Sequence, residues 1–130
     1  MALGSNIGDR NGHLAYARAR LAGLPNTTLL KASTVEETAP LGPVAQPPYL
    51  NQMVLLETAL QPAELLVHCR AIEAERGRER RERWGPRTLD LDIVRYGGRS
   101  MQTPELTIPH PELRNRDFWQ REIAELEGKS

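Results

Sequence analysis

Residues 83–93 read "RWGPRTLDLDI" and run on into "VRY". Leu89, Leu91 and Ile93 alternate with Thr88, Asp90, Asp92 and Val94, a period of two that predicts a strand over 88–96. Residues two apart in a strand share a side. The aliphatic residues therefore face a core, while Asp90 and Asp92 emerge together on the opposite face. This strand closes the pattern of elements along the chain, so its reading decides the fold.

Upstream of it, "MALGS" reads as the end of a short strand that turns at Gly4–Gly8. Leu14, Ala17, Leu21 and Leu24 recur at helical spacing from Asp9 to about Gly23, with Asp9 or Asn11 as the N-cap and Gly23 and Pro25 as the stop. "TTLLKASTVEET" (27–38) is rich in β-branched residues and reads as one strand, and "LNQMVLLETAL" (50–60) as a second beside it. Between them "APLGPVAQPPY" (39–49) holds four prolines and reads as an ordered, irregular loop. Pro62 opens a second helix through Leu65, Leu66, Cys69, Ile72 and Glu73 to about Arg76, with Gly77 just past its end. After the strand at 88–96, Gly97–Gly98 turn the chain into a short return strand. Pro104, Pro109 and Pro111 mark turns, and "REIAELEGKS" reads as a frayed helix or a disordered end. The order β-α-β-β-α-β predicts an α+β, ferredoxin-like domain, an antiparallel sheet with helices packed on one face. Many unrelated functions use that fold, so function is sought in the site.

Composition narrows the classes. The 130 residues make a single domain, 1–130, with 17 basic and 17 acidic side chains and a net charge of zero. No global field recruits nucleic acid or an anionic membrane. Locally, residues 76–87 hold six arginines against two glutamates, a patch of +4 that suits a small anionic ligand better than a polyanion. An RNA-recognition module shares this element order but needs exposed aromatics on its central strands, and only Tyr96 stands near that face. Cys69 is the one cysteine and falls in the apolar stripe of a helix, so it reads as a buried, inert thiol. No apolar run is long enough to span a membrane, and the N-terminus lacks the shape of a signal peptide, so a cytoplasmic, soluble chain without membrane contact is expected.

The chemistry gathers around the opening quotation. Two carboxylates on one side of a strand repel unless a cation lies between them. A solvated sheet face is the usual fate of alternating aspartates. An arginine-rich loop directly before them favours the metal reading, because Mg²⁺ on carboxylates beside arginines on phosphate is the equipment of phosphoryl transfer. "RGRERRERWGPR" is broken by Gly77, Gly85 and Pro86, which leaves guanidinium groups on a loop able to close over a triphosphate. Trp84 inside it reads as packed on a ligand or on the base of the loop. His110 is held between two prolines in "TIPHPELRNRDF" (107–118), with Arg116 six residues on as a second phosphate contact. Tyr49 and Asn51 suit a flat heterocycle with an amide edge, one by stacking and the other as donor and acceptor. A tight structural loop is the alternative there.

Four segments, "ALGSNIGDR", "TAPLGPVAQPPYLNQ", "RWGPRTLDLDI" and "LTIPHPELRNRDF", together resemble the 6-hydroxymethyl-7,8-dihydropterin pyrophosphokinases of folate biosynthesis, over roughly residues 2–118. The resemblance implies transfer of pyrophosphate from ATP to the hydroxymethyl oxygen of the pterin, with release of AMP. It implies that Asp90 and Asp92 bind two Mg²⁺ ions, that Arg87, His110 and Arg116 hold phosphates, and that Arg78 and Arg80 belong to a loop closing over ATP. Arg70, Glu73, Ile93 and Thr107 match positions near the nucleotide. Thr38, Leu41, Tyr49, Asn51, Trp84 and Phe118 match the pterin pocket, with Tyr49 and Phe118 sandwiching the ring. No histidine adjoins the nucleophile, so no firm general base is named, and assistance by Asp92 or Asp90 as proton acceptor is a hypothesis. The expected partners are ATP and the pterin alone, and the expected state is a monomer. The chain departs from the resemblance after Phe118, where "WQREIAELEGKS" (119–130) stands in place of an apolar continuation.

Overall fold

A computed structural model describes residues 1–39, 47–77 and 88–128. Strand β1 (Ala2–Ser5) leads into α1 (Arg10–Ala22). The N-cap is Asp9, whose carboxylate accepts a hydrogen bond from the Gly12 N–H at 3.0 Å. Leu14, Ala17 and Leu21 form the buried stripe of α1, and a Gly23 cap closes it.

Residues 27–38 form two strands, not one: β2 (Thr27–Ala32) and β3 (Glu36–Thr38), both paired with β4 (Tyr49–Thr58). Ser33 causes the break. Its N–H donates to Met53 O at 2.8 Å, its Oγ accepts from the Met53 N–H at 2.9 Å, and its carbonyl accepts from Gln52 Nε2 at 2.7 Å. A residue bound to the neighbouring strand through its side chain as well as its backbone interrupts the ladder there.

Helix α2 (Pro62–Glu75) starts with a reciprocal cap between Gln61 and Glu64 and ends before Gly77, whose φ of +75° only glycine adopts easily. β5 (Asp90–Asp92) is shorter than the expected 88–96. Its ladder with β1 covers only Ala2↔Asp92 to Gly4↔Asp90, and beyond it Val94 O turns to accept from the His110 N–H at 2.8 Å. The return strand, β6 (Met101–Gln102), pairs with β7 (Thr107–Ile108) in a ribbon of its own. The tail is ordered as α3 (Asp117–Leu126).

The main sheet runs β2-β4-β1-β5, antiparallel throughout, with β3 also on β4. This is the ferredoxin-like order, and α1 and α2 pack on one face over Leu3, Leu50, Val54, Leu91 and Ile93. The expectation of helices on one face needs an addition. Ala2, Met53 and Val94 point the other way and are buried under Trp119 and Leu126 of α3. An apolar patch of that kind is costly to leave in water, and Trp119, 2% exposed, covers it. Among the described residues no helix is long and apolar enough to cross a membrane.

Candidate active site

Strand register assembles the site. Glu36 pairs with Asn51, Asn51 with Gly4, and Gly4 with Asp90, so these residues form one row across four strands. Met53, Ala2 and Asp92 form the next row on the same face. Helix α3 covers Met53 and Ala2 of the second row. Tyr49 and Thr38, paired on the far side of Asn51, complete the face.

Asn51 is buried, and its Nδ2 donates to Thr38 Oγ1 at 2.5 Å. Gly4 keeps the floor flat. A Cβ there would stand 3.4 Å from Asn51 Oδ1 and 3.5 Å from the Tyr49 ring, so any larger side chain would occupy the space above them. The chain entering β4 is anchored from below. Asn6, fully buried, donates to Pro47 O at 3.1 Å, and Arg10 donates to Pro48 O at 3.0 Å. Sequence reasoning placed Gly4 at the start of a turn, whereas it lies within β1, and gave Asn6 no role of its own.

At the other end of the row, helix α2 fixes the two aspartates. Glu73 is 2% exposed. One carboxylate oxygen accepts from the Leu91 N–H at 2.8 Å, and the other from Arg70 at 2.9 Å. Leu91 lies between Asp90 and Asp92, so Glu73 caps the outer edge of β5 where the metal-candidate carboxylates project. His110 approaches Asp92 from the turn before α3. Its Nδ1 accepts from the Glu112 N–H at 3.0 Å, which leaves Nε2 to face Asp92 Oδ1 at 3.7 Å. The His110 ring meets the Trp119 ring edge-on at 4.9 Å. Arg116 lies over that indole at 4.4 Å, and its buried Nε has no hydrogen-bond partner among the described residues.

Burial opposes ionisation of Asp92, but His110, then Arg116 and Arg70, outweigh it and hold the carboxyl below its ordinary range. Asp92 is thus an anion with the Arg116 and Arg70 guanidinium groups near it and the His110 ring facing it. Two carboxylates on one strand, with a third of the Asp92 side chain still exposed, fit Mg²⁺, which takes one or two protein carboxylates and fills its remaining positions with phosphate and water.

The structure therefore brings Arg70, Glu73, Asp90, Asp92, His110 and Arg116 together, and separately gathers Thr38, Tyr49 and Asn51 on the same face. Phe118 is half-buried in the first turn of α3, its ring 6.3 Å from that of Trp119. Thr107 lies on β7. Ile93 is in the core on the opposite face, 3% exposed, so only its backbone is available to a ligand. Leu41, Arg78, Arg80, Trp84 and Arg87 lie outside the described residues.

A face with paired carboxylates at one end and a stacking ring with an amide at the other is equipped for metal-assisted phosphoryl transfer to a heterocycle. Residues 1–128 match the family described as 7,8-dihydro-6-hydroxymethylpterin-pyrophosphokinase. A Haemophilus influenzae protein named 2-amino-4-hydroxy-6-hydroxymethyldihydropteridine pyrophosphokinase is 45% identical over 118 residues, 91% of this chain and 74% of that protein. Proteins of the same name from Bacillus subtilis and Pseudomonas aeruginosa are 44% and 40% identical, each across 97% of this chain and 75% and 78% of theirs. The chain belongs to this pyrophosphokinase family. It is an ATP-using diphosphotransferase of folate biosynthesis that transfers pyrophosphate to 6-hydroxymethyl-7,8-dihydropterin.

Proposed function

We propose that both substrates meet on this face, the pterin over Tyr49, Thr38 and Asn51 and the triphosphate of ATP beside Asp90 and Asp92. The row Asn51–Gly4–Asp90 carries the reading. Two strand spacings separate its ends, about 10 Å, the scale of a bicyclic ring whose amide edge sits on Asn51 and whose hydroxymethyl arm points to the aspartates. Asp90 and Asp92 hold two Mg²⁺ ions, which when bound neutralise phosphate charge and orient the attacking and leaving oxygens.

The chain's own groups do the rest. Asn51, tied to Thr38, offers a fixed donor and acceptor to the amide edge, and Phe118 closes over the ring from α3. His110 and Arg116, with Arg78, Arg80 and Arg87, hold phosphate oxygens, and Trp84 and Leu41 line the pterin site. Arg70 and the backbone of Ile93 lie toward the nucleotide, as does Thr107. The depressed pKa of Asp92 makes it the poorer base and favours a metal-ligand role over proton transfer. Catalysis rests on alignment and charge neutralisation, as expected for a loose phosphoryl-transfer transition state. The protein acts as a monomer in this reading, and the zero net charge speaks against a nucleic-acid partner. We place the reaction in the cytoplasm.

Calorimetric titration with a non-hydrolysable ATP analogue tests the assignment. The native protein should bind it in a Mg²⁺-dependent manner, and Asp90→Asn and Asp92→Asn should each lose that dependence. Unchanged Mg²⁺ dependence in both variants would remove the aspartates from the metal site.

A further inference from the structure

Helix α3 carries a buried acid that the reaction does not use. Glu122 is 2% exposed, and neither of its carboxylate oxygens has a hydrogen-bond partner among the described residues. The side chain that faces it is Glu36 of β3, which also holds one buried, unbonded oxygen. Two carboxylates are both acceptors and have no bond to make with each other. With one proton between them, either becomes a donor and the orphaned oxygens are satisfied.

We propose that Glu36 and Glu122 share one proton, and that this bridge positions α3 so that Phe118 stands over the pterin face of the sheet. Glu122 follows Phe118 by four residues, so both project from the same side of α3. Glu36 is the strand neighbour of Asn51 and stands at the head of the row that ends at Asp90. The bridge thus joins the helix bearing one wall of the pterin site to the strand beside its floor, and the inference rests on that reading of the site.

The surroundings favour a neutral Glu122. Burial, then the facing Glu36, raises its pKa to about 9. The other charged groups near it bond atoms other than the Glu122 oxygens. Arg121 pairs with the outer oxygen of Glu36 at 3.2 Å, and Glu125 is held ionised by the Thr34 hydroxyl and N–H. On β2, Lys31 donates to Leu126 O at 3.0 Å. Among the described residues no cation bonds the Glu122 oxygens, so above its pKa the two facing carboxylates repel and loosen α3 from β3, a push that Arg121 on the outer oxygen of Glu36 offsets only in part.

The test compares the native enzyme with Glu122→Gln, whose amide donates to Glu36 at every pH. The Michaelis constant for the pterin is measured from pH 7 to 10 at saturating ATP and Mg²⁺. Ionisation of the pterin is common to both enzymes and cancels in their ratio. Since apparent affinity scales with the competent fraction, the native-to-variant ratio should rise about twofold by pH 9 and roughly tenfold by pH 10. In ¹³C NMR, one glutamate carboxyl should titrate near pH 9 and be missing from the variant. Glu36→Gln provides the same amide bridge from the other side and is read in its place if Glu122→Gln does not fold. Absence of any high-titrating glutamate overturns the shared proton. A high-titrating carboxyl with a pH-independent ratio overturns the positioning role. Separately, Phe118→Ala with an unchanged pterin constant at pH 7 would overturn the pterin-site reading while leaving the titration intact.

Discussion

Replacing Glu73 with alanine removes its hydrogen bonds to the Leu91 N–H and to Arg70. The Leu91 N–H, bonded at 2.8 Å, is left buried beneath α2 without an acceptor, and Arg70 loses its 2.9 Å carboxylate partner. An unsatisfied buried donor costs about 1–3 kcal/mol, and loss of a charged acceptor puts this case at the upper end. Glu73→Ala should therefore destabilise the protein by about 3 kcal/mol, a fall in Tm of roughly 10 °C for a domain of this size. Glu73→Gln keeps an acceptor for Leu91 and loses the charge facing Arg70, whose side chain is 43% exposed. Its cost should be about 1 kcal/mol. Urea denaturation gives both values. Because Leu91 separates the two aspartates, the alanine variant should also lose turnover at saturating substrates. An alanine variant within about 0.5 kcal/mol of native would show that Glu73 does not hold β5 in place.

Other outcomes follow from the same contacts. Cys69 is buried, and burial pushes its thiol up to about 12, so a thiol reagent at pH 8 should leave the native protein unlabelled and label it once in urea. Glu75 is pulled down to about 2, first by Arg20 and then by Tyr16. A depressed carboxyl stabilises the fold above its unfolded pKa and loses that effect as pH falls through its folded value. Glu75→Gln should lower Tm at pH 7, and the difference should vanish between pH 4.5 and 2. For Asp92, burial raises the pKa and His110 leads the groups that more than offset it. His110→Ala should move the acid limb of the pH–rate profile to higher pH, and an unmoved limb would separate His110 from Asp92.

The parts legible in the sequence were those carried by local chemistry. The alternation at 89–93 gave a strand with Asp90 and Asp92 on one face, and Asp9, Pro62, Gly23 and Gly77 marked helix ends through caps and backbone geometry. The parts that escaped depend on distant partners. Ser33 ends β2 because Gln52 and Met53 bind it from β4, which no local pattern reveals. The ordered tail did carry a signal, since Trp119, Ile123 and Leu126 repeat at helical spacing. Helix α3 is only ten residues long, however, and Arg116 at its N-cap gives no side-chain cap. What orders it is the apolar patch of Ala2, Met53 and Val94 on another part of the chain. Glu73 was visible as an acid inside an apolar stripe. A buried acid needs a partner, but that the partner is the Leu91 N–H, capping the edge between the aspartates, emerges only from the packing of α2 on β5.

The central claim is that Asp90 and Asp92 on β5 serve pyrophosphoryl transfer to the pterin seated over Asn51. The most direct measurement is AMP formation from ATP and Mg²⁺, with and without 6-hydroxymethyl-7,8-dihydropterin, in the native enzyme and in Asp92→Ala. AMP should appear only with the pterin and should disappear in the variant while the fold, followed by circular dichroism, is retained. Pterin-dependent AMP at the native rate from folded Asp92→Ala would contradict the account.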